Sequence, residues 1–556
     1  MQHQSQTDSK RALSFALAGL IALACTIVYF AFRPPLFDAD GYLYRLEALS
    51  PDRFFNAVPQ HLIWNLIEIL ISQVAAVFGY SASTVPFQVV GIVFNCATLF
   101  ILCALLMRTS GSGVYAAAAT LFVGFSPKFW YVGFQNGPYP PLLLALVGYF
   151  WMWATENGEP PSGRRLFFAA VLMTLVVLLH EAGIFLVLAG VITLTLYGNK
   201  PARYRLARAA AWGAGIAAIV VSAYVTTWAL TADSDPFFRW VTDSIQQLHP
   251  IRFQFPASLA KIVIGATGSI IQSGTIQTYL EKQSTPTAIL AIYGSLGFAI
   301  VVAIVILVRW IGLSRQLSEC IRTSALFTVS LLSLLLWSTF IVAWEPSSVH
   351  YWLVTLIPAV IFLGLLFCSR EQHGLWVFAS LAILLSGWNA YLNNQLDKQW
   401  SLNFPPPLVA EIRKYVGDRD IFIVLGNEDW FANMDYELLF SVLEHDQRNP
   451  CIPILENFVT PAAGSPGWKD KLRASIDETL KSGGRVYVAN HVFDSDSYDD
   501  LAGNKNPFDQ YVDERKLSIN GPALHQEVQR LVDDYDQEDT DFAIGDDKYV
   551  ELKAKN

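Results

Sequence analysis

The chain opens with an apolar stretch, ALSFALAGLIALACTIVYFAF (Ala12–Phe32), which follows Lys10 and Arg11. A helix of this length is roughly 30 Å long, enough to cross the hydrocarbon core of a bilayer. The stretch is longer than the apolar core of a secretory signal, and no small-residue cleavage site follows it. We therefore predict that it is a retained first membrane span.

Similar stretches recur as far as Tyr391, and the whole chain is 53% hydrophobic and only 15% charged, with a mean hydropathy of +0.37. This composition is too apolar for a water-soluble protein of 556 residues. We predict an α-helical polytopic membrane domain over residues 1–391, with about eleven transmembrane helices. The spans are placed near 12–32, 86–107, 113–133, 138–155, 165–180, 184–198, 208–230, 286–308, 323–343, 350–368 and 374–391.

Positive charge orients these spans, because Lys and Arg near span ends stay in the cytoplasm. With a cytoplasmic N-terminus, every predicted cytoplasmic segment carries positive charge, at Lys10/Arg11, Arg108, Arg164/Arg165, Lys200 to Arg208, Arg309 to Arg322 and Arg370. The long loops 33–85 and 231–286 then face outward, as does everything after residue 391. The chain has no Asn-x-Ser/Thr sequon. These features favour a bacterial inner membrane protein with a periplasmic C-terminal domain.

The segment Pro59–Tyr80 is apolar enough to be a span, but a span here would move the basic loops outside. We interpret it as an amphipathic helix in the outer interface, with Trp64 at headgroup depth. An ordinary span with a different topology is the alternative.

The predicted soluble domain, residues 392–556, has an α/β pattern. The runs DIFIVLGN (Asp420–Asn427) and GRVYVANH (Gly484–His491) indicate strands, and WKDKLRASIDETLKSGG between them indicates a helix that ends at Gly483-Gly484. We predict a small parallel sheet, with an acidic tail from about Asp533 that is partly disordered. The net charge of −9, concentrated in this tail, argues against a nucleic-acid partner.

Titratable side chains in the membrane half gather on one predicted side. The outward ends of spans and the outward loops carry His61, His180 with Glu181, His249, and Glu345 with His350. Ionisable groups at a membrane surface mark functional sites more often than chance, so we predict a chemical site at the outer surface. Singly, each histidine can also be an ordinary hydrogen-bonded surface group.

The first outward loop, FDADGYLYRLEALSPDRF, places Asp38 and Asp40 directly after the first span. A carboxylate held at the membrane surface can take a proton from an acceptor hydroxyl, as a general base does. Either aspartate can instead cap the amphipathic helix that follows it.

The order of these features resembles the C-type superfamily of polytopic membrane glycosyltransferases, which use polyprenyl-phosphate-linked sugars. In that superfamily an Asp and a Tyr open the first outward loop, and here Asp40 with Tyr44 fits these positions, as does Asp38 with Tyr42. A His-Pro-Pro-Leu-like segment follows in the superfamily, where this chain has Gln60-His61-Leu62. The later element EPSSVHYWLVTLIPA (Glu345–Ala359) is also similar. Gly41 stands in place of the usual Glu, and no proline follows His61.

This resemblance implies an inverting transfer of a hexosyl or pentosyl group from a polyprenyl-phosphate donor to a glycan, lipid or protein acceptor outside the cytoplasm. Asp40 or Asp38 would be the base, and cationic groups would stabilise the departing phosphate. The substrate-binding residues predicted for this role and for the donor are Tyr44, His61, Arg239, His249, Arg252, Lys261 and His350, with Lys128 as a weaker candidate. Any of the basic residues can instead bind lipid headgroups.

A divalent cation held by His180, Glu181 and Glu345 is a further prediction, because mixed histidine and carboxylate sites bind such ions. Two other classes of function compete with the enzyme. A transporter or flippase of a lipid-linked or polar solute usually shows midplane charges or internal repeats, and this sequence shows neither. A non-catalytic scaffold needs fewer spans than the chain has.

Overall fold

A computed structural model gives the architecture of the chain. It describes residues 2–33, 44, 61–78, 85–155, 158–198, 200–231, 236–238, 241, 257–271, 320–367 except 322 and 347, 372–403, 419–424, 451–453, 468–489, 521–544 and 547–555. The chain forms two compact units. The first comprises Met1–Pro35, Pro51–Ser72 and Val85–Trp400, and the second Leu36–Ser50, Gln73–Thr84 and Ser401–Asn556, so the last boundary falls between Trp400 and Ser401. That boundary lies inside a helix, Gln372–Asn403, which also contains the predicted boundary at residue 391.

The first unit is a bundle of apolar helices. Its described helices are α1 (Gln2–Ala31), α2 (Trp64–Val77), α3 (Val85–Ser110), α4 (Gly113–Gly124), α5 (Pro127–Val132), α6 (Tyr139–Trp153), α7 (Gly163–Leu179), α8 (Ile184–Leu196), α9 (Ala202–Thr231), α10 (Ala257–Ile270), α11 (Ala325–Trp344), α12 (Val349–Phe367) and α13 (Gln372–Asn403). Each predicted span coincides with a helix of this set, except 286–308, which lies outside the described residues.

By length and composition, four of the described helices can cross a membrane: α3, α9, α11 and α12. The chain is therefore a membrane protein, as predicted, while the count of about eleven spans stays a prediction. Large apolar side chains of α1, α7, α9 and α13 point away from the bundle, with Leu20 66% exposed and Leu230 67% exposed. Exposed apolar surface of this kind suits contact with lipid rather than water.

The predicted span 113–133 is broken into α4 and α5. Phe125 and Ser126 separate the two helices, and Pro127 opens α5, where a missing N–H costs nothing. The short helix is fixed to the bundle because the Asn95 amide donates a hydrogen bond of 2.8 Å to the carbonyl of Phe129. The break brings Lys128 and Tyr131 to the end of the bundle where α6 begins.

Helix α2 confirms the helix predicted within Pro59–Tyr80. Its 14 residues are fewer than the ~20 that a span requires. Its exposed side is apolar, at Leu66, Leu70 and Val74, while Asn65 and Glu68 are fully buried. Trp64, predicted at headgroup depth, is only 3% exposed and packs inside the protein instead.

Basic residues and histidines occupy opposite ends of the same helices. At one end, Arg165 donates a hydrogen bond to the carbonyl of Ala154 after α6, and Arg205 donates one to Leu196 at the end of α8. The other ends of α6, α7 and α8 lie at Tyr139 and around His180. These arginines therefore lie at the ends of the helices opposite the histidines, while the side of the membrane that each end faces stays a prediction.

The second unit contains a five-stranded sheet among the described residues, with strand order β2-β1-β3-β5-β4. Its elements are β1 (Ile421–Val424), β2 (Cys451–Pro453), α14 (Trp468–Lys481), β3 (Val486–Ala489), α15 (Gly521–Val532), β4 (Asp536–Ile544) and β5 (Asp547–Lys553). The predicted strands β1 and β3 are parallel neighbours, with Phe422 opposite Tyr487. The helix between them ends as predicted, because Gly483 takes a φ of +80° that a side chain would disfavour.

The prediction of a partly disordered acidic tail is wrong. Residues 536–544 and 547–553 form an antiparallel hairpin that extends the sheet, with Val488 opposite Val550. Leu552 is buried and Val550 half-buried on one face of β5, and Tyr549 is buried on the other, even though carboxylates dominate the composition. Acidic side chains on the outer strand of a sheet are compatible with order, and Lys553 forms an ion pair with Glu538.

Candidate active site

Three of the predicted outward histidines meet around one tyrosine. The ring centroid of Tyr139 lies 6.5 Å from that of His61, 6.1 Å from that of His180 and 5.6 Å from that of His350. The rings of His61 and His180 are themselves 5.2 Å apart and nearly perpendicular. We call these four residues the histidine cluster.

The cluster is built where helices begin. Tyr139 is the first residue of α6, followed by Pro140 and Pro141, and His350 is the second residue of α12. The peptide dipoles of a helix leave partial positive charge at its N-terminus. The N-terminus of α12 therefore favours an anion beside His350, whereas Pro140 and Pro141 leave α6 with fewer N–H groups to offer one.

His61 belongs to the buried side of the cluster. It is 8% exposed, and its Nδ1 lies 2.8 Å from the carbonyl oxygen of Leu179. Since that oxygen can only accept, Nδ1 carries the proton, and in the neutral ring Nε2 has the lone pair. Burial lowers the pKa of His61 to about 4, although the hydrogen bond to Leu179 acts in the opposite direction. The ring is therefore neutral near pH 7.

His180 presents the opposite tautomer. It lies in the break between α7 and the 3₁₀ turn Glu181–Gly183, where its Nδ1 accepts a hydrogen bond of 3.3 Å from the N–H of Ala182. In the neutral ring the proton is then on Nε2. The ring of the fully buried Trp337 lies 5.8 Å away, and the indole N–H of Trp337 donates to the carbonyl of Tyr351 at 2.9 Å. His180 is thus held by packing as well as by its backbone contact.

The other side of the cluster is only half-buried. Tyr139, His350, Tyr131 and Lys128 all keep part of their surface accessible. Lys128 Nζ lies 3.9 Å from the ring centroid of Tyr131, and that ring lies 6.3 Å from the ring of His350. A negatively charged group that reaches Tyr139 and His350 therefore meets a lysine at the same end of the bundle.

The predicted metal ligands do not assemble. Among the residues that the structure describes, no three His, Cys, Asp or Glu side chains come close enough to hold a metal ion, and His180, Glu181 and Glu345 are all described. Glu181 Oε2 is 3.7 Å from His180 Nδ1, but that nitrogen already accepts from Ala182. A divalent cation stays a prediction without this ligand set.

Other predicted site residues have different outcomes. Tyr44 is half-buried, and Lys261 is exposed on α10, a helix that packs against α5 and α12. The packing is close, since a side chain at Gly265 would lie 2.3 Å from the carbonyl oxygen of Pro346. The remaining predicted residues lie outside the described part of the chain: Asp38, Asp40, Arg239, His249 and Arg252.

A buried polar pair next to the cluster was not predicted from the sequence. The Asn136 amide donates a hydrogen bond of 2.6 Å to Glu68 Oε1, and the two side chains are 2% and 0% exposed. The signal was a single carboxylate within the apolar run LIWNLIEILISQV (Leu62–Val74). Such a group inside a membrane domain needs a polar partner. Tyr139 was not predicted as a site residue, because the neighbouring prolines are the only feature that marks it in the sequence.

Comparison with solved structures confirms the fold that the sequence resemblance implied. The structure is similar to that of ArnT from Cupriavidus metallidurans bound to undecaprenyl phosphate, with a TM-score of 0.54, 11% identity and coverage of 97% of each chain. The apo state of the same protein gives a TM-score of 0.53 at 11% identity, covering 96% of this chain and 97% of that one.

A weaker likeness is found to the archaeal oligosaccharyltransferase AglB from Archaeoglobus fulgidus, in complex with an inhibitory peptide and a dolichol-phosphate. Its TM-score is 0.41 at 11% identity, and the match covers 96% of this chain and 74% of AglB. No protein-family model and no curated protein sequence matches the chain.

Proposed function

We propose that the protein is a membrane glycosyltransferase that moves a sugar from a polyprenyl-phosphate carrier to an acceptor on the periplasmic face of the bacterial inner membrane. The observation that carries this proposal is the convergence of His61, His180 and His350 on Tyr139, at the end of the bundle opposite Arg165 and Arg205. The fold adds support, because ArnT, which shares it, has been crystallised with undecaprenyl phosphate.

The reaction has one main electrostatic demand. An oxygen of the acceptor attacks the anomeric carbon, the bond from that carbon to the phosphate oxygen breaks, and the carrier phosphate leaves with the electron pair. A site for this step has to stabilise an anion. Lys128 and the N-terminus of α12 supply positive charge on the half-buried side of the cluster. His350 and Tyr139 supply polar atoms beside them.

The buried histidines have a supporting role in this proposal. His61 is neutral near pH 7, and both rings are fixed by backbone groups, so His61 and His180 are proposed to hold Tyr139 rather than to neutralise the phosphate. Further cations, Arg239, His249, Arg252 and Lys261, are proposed to approach the phosphate from the second long loop. Tyr44 is proposed to contact the donor.

The proton of the acceptor hydroxyl needs a base. Asp40 or Asp38 is proposed for this role, since both follow the first span directly and a carboxylate can take the proton as the new bond forms. Attack opposite the leaving phosphate would invert the configuration at the anomeric carbon. No step of this scheme passes through a metal ion.

The test uses the full chain in lipid nanodiscs with undecaprenyl phosphate. Lys128→Ala is expected to weaken carrier binding about tenfold, because one charge-assisted contact to phosphate is lost. The matched control is Lys200→Ala, which removes an exposed lysine at the opposite, basic end of the bundle. Equal affinities in Lys128→Ala and wild type would refute the proposed phosphate site.

Catalysis is tested with radiolabelled polyprenyl-phosphate sugars and a membrane extract as the source of acceptor. Asp40→Asn or Asp38→Asn is expected to abolish transfer while carrier binding remains. Full activity in both variants would remove the proposed base. Movement of the intact lipid-linked sugar across a vesicle membrane, without transfer, would instead establish the flippase alternative.

A further inference from the structure

Glu68 and Asn136 join two segments that lie far apart in the chain. Glu68 is on α2, in the first predicted outward loop, and Asn136 is in the loop that precedes α6. Their hydrogen bond is 2.6 Å long and almost completely buried. A bond with this degree of burial is protected from competition by water and so defines a geometry.

Helix α2 depends on such contacts for its position. Its exposed side is apolar, and in a lipid environment apolar surface gives no drive toward the protein. Three described polar contacts hold it. His61 Nδ1 donates to the carbonyl of Leu179, the N–H of Ile63 donates to the carbonyl of Leu178 at 3.3 Å, and Glu68 accepts from Asn136.

These contacts fix the two segments of the chain that carry His61 and Tyr139. The first two fix the start of α2, and with it His61, to the end of α7. The third fixes the loop that leads into Tyr139, three residues after Asn136. Pro138 and Pro140 flank Tyr139, and their restricted φ angles limit how far this segment can flex. A displacement at Asn136 is therefore passed on to the Tyr139 ring.

We propose that Glu68 is a positioning residue: through Asn136 it sets the placement of Tyr139 against His61 and His350, and so the geometry in which the carrier phosphate is held for transfer. This inference rests on the proposed function. Glu68 itself is fully buried and acts through its bond to Asn136. Small displacements of a reacting group lower the rate more than they lower ground-state affinity.

The test exchanges the donor and the acceptor of the bond. Asn136→Asp places two carboxyl groups against each other, while Glu68→Gln combined with Asn136→Asp restores one donor and one acceptor with the partners reversed. Asn136→Asp and Glu68→Ala are each expected to lower kcat at least tenfold, with KM for the lipid-linked donor changed by less than about threefold. The combined variant is expected to recover most of the lost kcat.

Asn389→Ala is the matched control for loss of a buried amide. The Asn389 side chain is fully buried and donates a hydrogen bond of 2.7 Å to the carbonyl of Ile270, between α13 and α10. It is expected to lower thermal stability and to leave kcat per folded protein unchanged. If Asn389→Ala lowers kcat as much as Glu68→Ala, the effect is one of general stability and the positioning role is wrong.

Hydrogen–deuterium exchange gives a readout that needs no turnover. Peptides covering residues 61–68 and 133–139 are expected to exchange faster in Asn136→Asp and to regain protection in the combined variant. An inactive wild-type chain would refute the proposed function. An active wild type whose kcat is unchanged by Glu68→Ala, or is not rescued by the exchange of donor and acceptor, would refute the positioning role alone.

Discussion

Replacing His61 with asparagine should make the stability of the protein less sensitive to acid. The amide nitrogen of asparagine can donate to the carbonyl of Leu179 in place of Nδ1, which is 2.8 Å from that oxygen. Burial lowers the folded-state pKa of His61 from 6.5 to about 4. The unfolded chain therefore binds the proton first as the pH falls, so stability is complete above the unfolded pKa and declines between pH 6.5 and about pH 4.

The size of the effect follows from the two pKa values. Between about pH 7.5 and about pH 5, the single group should cost the wild-type protein ~2 kcal/mol of unfolding free energy, and His61→Asn should be spared this loss. The assay is thermal unfolding of both proteins in nanodiscs at the two pH values, with the same heating rate. Other titrating groups affect both proteins equally. If both lose the same stability, His61 is not held neutral by burial, and the reasoning is refuted.

Three further perturbations test packing within the units, two in the first unit and one in the second. Gly265→Ala should lower Tm, at a cost of about 1–3 kcal/mol, because its Cβ would lie 2.3 Å from the carbonyl oxygen of Pro346; an unchanged Tm would contradict that close approach. Trp337→Phe removes an indole N–H that donates to a main-chain carbonyl at 2.9 Å, and should cost about 1–3 kcal/mol in the same assay. In the second unit, Asp420→Ala removes a carboxylate that accepts hydrogen bonds of 2.8 Å from both the backbone N–H and the guanidinium of Arg485. It should speed limited proteolysis after Ser401. Unchanged cleavage would show that the pair is dispensable.

The sequence was sufficient to predict the helical bundle, because a bilayer permits few arrangements of a polar backbone. Spans such as α3 and α11 need a long apolar helix, and the pattern that predicts it is local. The sheet neighbours β1 and β3 were predicted for a related reason, since short β-branched runs separated by an amphipathic helix favour parallel pairing. The hairpin after Asp533 was missed because its pairing with β3, a strand far earlier in the chain, cannot be read from the acidic composition of the segment.

The candidate site was predicted only in part. The shared side of His61, His180 and His350 could be inferred from charge and span order, but not their approach to one tyrosine. Which residues meet depends on how the ends of several helices are packed, and no local pattern encodes that. The proposed metal set failed for a similar reason, because the direction of the His180 ring is fixed by the backbone of Ala182.

The attachments of α2 also constrain the order in which the protein can be made. His61 bonds to a carbonyl 118 residues later in the chain, and Glu68 bonds to an amide 68 residues later. During synthesis, α2 emerges before either partner has been made. It can therefore form both contacts only after α7 has been synthesised. Completion of the histidine cluster, which also needs His350, is therefore a late event in biogenesis, and a nascent chain released before residue 350 would lack it.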